Sequence, residues 1–258
     1  MKMVTYEIHE HTAVVTVNNP PLNVMSKQVA TELFEVFNEI ETNEDAIAVI
    51  LTGSGNKAFM AGADIKEFPE WIGQTGFKDI VMDTHRVLNY IDDFPKPTIA
   101  VLNGMTFGGG CELAMTCDMR IAEEHAQLGL PEIKLGLFPG GGGTQRLPRL
   151  IGEAKAKEMM FTGEPITAEE ADRYGLVNHV VPSGQGMTYA QGLASKMTGQ
   201  SLQALSRIKK AVNNGAHLPI GDAVEMEAEL FEEVFQTEDI KEGVQAFIEK
   251  RKPAFTHR

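Results

Sequence analysis

Basic residues are in short supply: 23 Lys and Arg stand against 36 Asp and Glu, a formal net charge of −13 over 258 residues. A chain this acidic is repelled by a phosphate backbone, so a sequence-independent grip on nucleic acid is excluded as its main work. Cysteine is nearly absent. Cys111 and Cys117 form no CxxC pair, and on a shared helix their spacing points them to different faces, so both are expected to be reduced core residues. No apolar run approaches the roughly 18 residues of a membrane-spanning helix, and no membrane partner is expected. The opening MKMVTYEIHEHTAVV lacks an apolar signal core and an Arg/Ser-rich transit pattern, which makes the cytoplasm the expected location. His9 and His11 share a face of a possible strand without an HExxH motif or a third ligand, so no metal site is expected there. A G-x-S-x-G elbow for a serine nucleophile is also missing.

What is present is an ordinary globular composition, 43% apolar, in a chain long enough for one large domain or a core with an appendage. YEIHEHTAVVTV alternates, breaks at Glu10-His11 and resumes, which predicts an edge hairpin ending at Asn18-Asn19-Pro20. Val29, Leu33, Val36, Phe37 and Ile40 recur at helical spacing, and AIAVILTGSG then supplies a strand. A helix from about Lys78 to Ile91 precedes the strand PKPTIAVLNG, and MRIAEE reads as another strand. Strands separated by helices imply crossover connections and a parallel sheet, so the class is α/β. Beyond LPRLIGEAKAKEMMFTG strand signals nearly vanish and three helical patterns are expected, the last capped by Thr237 or Asp239 and followed by three cations.

Three glycine-rich stretches invite chemistry. GSGNKA formally fits a dinucleotide fingerprint, but FMAGAD after it is no helix start. PGGGGTQR has no Lys-Ser or Lys-Thr and reads as a tight turn. GGGCELAMTCD, Gly108 to Asp118, differs in sitting between a strand and a helix. Free amides there can bind an oxyanion, and glycine lets it approach; close packing of helix on sheet is the equal alternative. Glu112 lies one turn into that apolar helix, where burying a carboxylate is costly unless something uses or satisfies it. Glu132, in LGLPEIKLGLFPG, is a second acid among apolar residues. Either alone is compatible with a structural or solvated acid. Together near an oxyanion site they match the addition of water across an activated double bond, with one group accepting a proton and the other giving one.

KAFMAGADIKEF, GMTFGGGCELAMTCDMRIA, AQLGLPEIKLGLFPGGGGTQRLPRLIG, AKEMMFTGEPITAEEADRYGLVNHVV and EGVQAFIEKRKPAF together resemble, in order and spacing, the enoyl-CoA hydratase/isomerase (crotonase) superfamily over essentially the whole chain. The resemblance implies a spiral core of repeated ββα turns over residues 1–195 and a helical trimerisation region over 196–258. It implies that the amides of Ala63 and Gly109 form an oxyanion hole, and that Glu112 and Glu132 activate water for addition to a trans-2-enoyl-CoA thioester. Ala61, Asp64, Ile65 and Lys66 match the CoA-pocket segment, Gly140 a loop glycine near the second glutamate, and Phe247 and Lys250 residues that touch the nucleotide end, often of a neighbouring subunit. The partners implied are an acyl-CoA substrate, with no cofactor apart from the CoA it carries, and further copies of the chain in a trimer or a hexamer. Met60 stands where alanine, serine or cysteine is common, which should alter the shape of the wall.

Within that family an isomerase, hydrolase, decarboxylase or dehalogenase generally does not keep both glutamates, so the pair favours a hydratase of fatty-acid or related acyl-CoA degradation. A few relatives bind RNA. The acidic balance and the lack of a basic stripe argue against that role here.

Overall fold

The computed structural model describes residues 2–258. β1 (Val4–His9) and β2 (Thr12–Val17) form the expected hairpin, with His9 paired to Thr12 across Glu10 and His11. Both turn residues take positive φ, 47° and 64°, the two-residue geometry whose twist matches that of the flanking strands. α1 (Lys27–Thr42) follows, capped by the Ser26 hydroxyl, which accepts from the Val29 amide. Its buried residues are the five the spacing singles out: Val29, Leu33, Val36, Phe37 and Ile40.

Three strand-strand-helix turns come next. They are β3 (Ala48–Gly53), β4 (Ala58–Ala61) and α2 (Phe77–Asp92); β5 (Thr98–Leu102), β6 (Met105–Phe107) and α3 (Gly109–Ala114); and β7 (Met119–Glu123), β8 (Gln127–Gly129) and α4 (Gly143–Ile151). After them run α5 (Glu153–Thr162), β9 (Ile166–Thr167), α6 (Ala168–Tyr174), β10 (His179–Val181), α7 (Gly186–Thr198), α8 (Leu202–Gly215), α9 (Ile220–Val234) and α10 (Glu238–Glu249). In every turn the first strand enters a six-stranded sheet, ordered β1-β2-β3-β5-β7-β10, and the second enters a four-stranded sheet, ordered β4-β6-β8-β9. The chain therefore climbs as a spiral. All pairings from β2 to β10 in the larger sheet are parallel, as are β4 with β6 and β6 with β8.

Strand parity divides the core. Val49, Leu51, Ala100 and Leu102 point to the main cluster, whereas Ala48, Ile50, Ile99 and Val101 meet Ala190 and Ala194 of α7 on the other face. A sheet covered on both sides explains why these strands read as continuous apolar runs.

Several expectations are corrected. The helix after the triple glycine ends at Ala114, so Cys117 is not on it; both thiols are nonetheless buried and free. The last third holds five helices beyond α5, not three, together with β9 and β10. Strands of two and three residues are too short to show a period. Thr237, not Asp239, caps α10, its hydroxyl accepting from the Ile240 amide. Asp239 is buried and instead accepts from the amides of Thr256 (2.8 Å) and His257 (3.0 Å), folding the tail back.

Candidate active site

The site assembles where three short parallel strands end. Ala61 of β4 pairs with Phe107 of β6, and Phe107 pairs with Gly129 of β8. Two residues beyond the first pair, Ala63 and Gly109 are necessarily neighbours, and Glu132 follows Gly129 in the next row. Carboxyl ends of parallel strands are where such folds place ligands, because chain crossing leaves open backbone there.

Ala63 is held by Met25, which donates to the Gly62 carbonyl and accepts from the Asp64 amide, both at 2.8 Å. That bridge turns Ala63's own amide to the opposite edge, where Gly109 lies. A methyl on Gly109 would stand 3.7 Å from the Ala63 nitrogen. The three glycines serve different ends. Gly108 takes a φ of 50° with the Glu132 carboxylate beside it, Gly109 faces Ala63, and Gly110 packs so tightly on the Met60 carbonyl that any side chain would overlap it. Met60 itself is fully buried.

Glu112 is 3% exposed. Its Oε1 accepts from the amides of Gly141 (2.7 Å) and Gly143 (2.8 Å). A methyl on Gly141 would lie 2.5 Å from Oε2 and one on Gly143 3.0 Å from Oε1, so the loop read as a tight turn is an amide cradle with no room for a side chain at either donor. Burial pushes the Glu112 carboxyl above the usual carboxylate range, against the two amide bonds and the charge of Arg146. Gly140 is exposed; a methyl there would meet nothing nearer than the Phe138 carbonyl at 4.0 Å.

Glu132 is the second residue of the 3-10 turn Pro131–Leu135. Its Oε2 is buried with no hydrogen-bond partner among the described residues. Burial is the chief cause that raises its pKa to about 7, opposed by its own backbone amide and reinforced by the Glu112 charge. Two like side chains thus share one pocket in unlike environments. Cys111, fully enclosed, is pushed up to about 12 by burial and then by both glutamates.

Asp64 caps the 3-10 turn Ile65–Glu70 by accepting from the Lys66 amide at 3.1 Å, leaving Ile65 and Lys66 exposed beside Ala61 and Ala63. Phe247 and Lys250 are not brought there. Phe247 is 86% exposed, Lys250 ends α10 at a φ of 56°, and α10 has no extended packing against any element of the spiral. Among the described residues no group of three or more His, Cys, Asp or Glu is disposed to hold a metal ion, and no helix is long and apolar enough to cross a membrane.

Sequence reasoning missed Gly141, Gly143 and Arg146. Backbone donors have no side-chain signature; the run of four glycines was the available signal.

A strand-end site with paired glutamates on a ββα spiral defines a class, and the sequence comparison agrees: a family model described as Enoyl-CoA hydratase/isomerase matches residues 7–258. The chain belongs to that family. It is 45% identical over 241 residues to the short-chain-enoyl-CoA hydratase of Clostridium acetobutylicum, covering 93% of this chain and 92% of the relative. It is 40% identical over 250 residues to the crotonyl-CoA hydratase of Syntrophomonas wolfei, with 96% of each covered. The crystal structure of an enoyl-CoA hydratase from Bacillus anthracis superposes with a TM-score of 0.93 at 38% identity, over 99% of this chain and 100% of that one.

Proposed function

We propose that this protein catalyses the reversible hydration of trans-2-enoyl-CoA thioesters to 3-hydroxyacyl-CoA. The observation that carries this reading is the pair of carboxyl groups at one set of strand ends, Glu112 held by two amides and Glu132 with a buried, unpartnered oxygen. The thioester oxygen accepts from the Ala63 and Gly109 amides, each such donor contributing on the order of 2.7–4 kcal/mol as enolate charge develops. Glu112, as carboxylate, orients a water and takes its proton while the oxygen bonds to C3. The C2–C3 π electrons move toward the thioester, and C2 then takes the Glu132 proton. Coupled acids share these transfers, so the two act as a unit.

Asp64, Ile65 and Lys66, with Ala61, line the approach for CoA in this scheme, and the reaction needs no cofactor beyond the CoA of its substrate. Apolar side chains left open on α8 to α10, among them Val212, Ile220, Phe231, Phe235 and Ile248, support residues 196–258 as a trimerisation region, as a trimer or a hexamer. Cytoplasmic work in fatty-acid or related acyl-CoA degradation fits this chemistry.

The purified protein, with no added metal or nucleotide, is expected to convert trans-2-enoyl-CoA to the 3-hydroxy product much faster than it shifts the double bond of 3-enoyl-CoA. Loss of the conjugated absorbance reports the first reaction and chromatography the second. The names of the relatives direct the chain-length scan to crotonyl-CoA first. Brisk isomerisation with no hydration would hand the function to a double-bond isomerase.

A further inference from the structure

Two carboxyl groups in one low-dielectric pocket resist ionising together, yet hydration asks one to be a carboxylate and the other an acid. Something must bias the pair. Arg146, in the first turn of α4, has a side chain only 16% exposed and packs against the glycine loop that holds Glu112. Its Nε and one terminal nitrogen both donate to Asp92 Oδ2, at 3.0 and 2.8 Å, and the same terminal nitrogen donates to Asn89 at 2.8 Å. The other terminal nitrogen reaches the Gly141 carbonyl at 3.4 Å, and the guanidinium occupies the space a side chain on Gly142 would need. Gly142, at a φ of 102°, in turn accepts the Arg146 and Gln145 amides at 2.8 and 2.9 Å.

An ordinary ion pair joining α2 to α4 would need only the Asp92 contact. The grip on Gly141 and the filled space at Gly142 go further, since Gly141 and Gly143 are the donors to Glu112. We propose that Arg146 is a positioning residue of the hydration site, fixing with Asp92 and Asn89 the loop whose amides hold Glu112 and setting a positive charge beside that carboxylate. This rests on the hydration reading. The titratable and charged groups around Glu112 are Arg146 of α4, Cys111 of α3 and Glu132 of the 3-10 turn, and those around the Arg146 guanidinium are Asp92 and His85 of α2. Arg146 favours the ionised form of Glu112, and Asp92 partly offsets it.

Opposite shifts in the pH profile distinguish this role from a merely structural one. Arg146→Gln should move the acid limb of kcat/KM for crotonyl-CoA hydration to higher pH, by on the order of one unit, and Asp92→Asn should move it lower. Both should lower kcat about ten- to a hundredfold with little change in KM, because the loop is loosened while the CoA contacts are not. Arg146→Lys keeps the charge without the fork, so its limb should stay near wild type while kcat falls. If Arg146→Gln does not fold, the downward shift in Asp92→Asn and the unmoved limb in Arg146→Lys still decide the matter. A limb that stays fixed in both charge variants, or moves the same way in both, overturns the proposal. A silent wild type overturns the hydration reading itself and is seen before any variant is assayed.

Discussion

Glu112 rests one oxygen on two backbone amides while Glu132 leaves one buried without a partner, so the same functional group meets two different solvents within one pocket. Replacing either by Gln should lower kcat about 10²–10⁴-fold with KM little changed, since the proton transfers belong to the transition state. Steady-state kinetics on 2-enoyl-CoA check this, and near wild-type turnover in either variant would remove that residue from its role. The Glu132 pKa also makes a stability prediction. A carboxyl raised from 4.5 to about 7 on folding binds more protons in the native state, so its contribution is present below the lower value and is lost as pH rises through the upper one. Glu132→Gln removes that titration, and its melting temperature relative to wild type should therefore rise between pH 5 and pH 8. Parallel thermal melts at the two pH values read it directly.

At the scale of elements, helix ends are where this fold fastens itself. Lys96, 4% exposed and leading into β5, sends its ammonium to the Ile40 carbonyl (2.7 Å) and the Asn43 carbonyl (2.8 Å) at the close of α1. Burial pulls its pKa down, yet the two charge-assisted bonds reinforce carbonyls that otherwise hold only long amide bonds, from Asn43 to Ile40 and from Ala46 to Asn43, both at 3.2 Å. Lys96→Met should cost about 1–3 kcal/mol by removing both charge-assisted bonds. For a chain of this size that lowers the melting temperature by roughly 2–4 °C per kcal/mol. An unchanged melt would show that the two amide bonds alone satisfy these carbonyls.

The same scale explains what could be read in advance. α1 was legible because its five buried residues repeat on one face, and the strands of the larger sheet because both their faces are covered. β4, β6 and β8, of four, three and three residues, carry no period, yet their ends build the site. Glu112 and Glu132 stood out as acids among apolar neighbours. The cradle of Gly141 and Gly143 did not, because an amide donor looks the same in every residue, and Arg146 gave no signal apart from its charge.

For the whole molecule, the placement of α10 bears on how the CoA site is completed. Phe247 and Lys250 lie on a helix without extended packing on the spiral, whereas Asp64, Ile65 and Lys66 lie at its strand ends. If these two groups hold the same CoA, as the family resemblance implies, they do so across a subunit boundary, and the site is complete only in the oligomer. Mixed oligomers test this. A Glu112→Gln chain has a disabled centre but an intact α10, and a chain carrying Phe247→Ala with Lys250→Ala has the reverse. Apart, the first should show little turnover and the second a raised KM, because contacts remote from the thioester contribute mainly uniform binding. After dissociation and reassembly together, intact centres come to lie beside intact α10 helices, and a fraction of sites should regain the wild-type KM. Recovery is impossible if α10 serves its own chain, since no subunit in the mixture then has both parts. A mixture that keeps the raised KM, with subunit exchange verified by mass, would return Phe247 and Lys250 to their own subunit or remove them from the site.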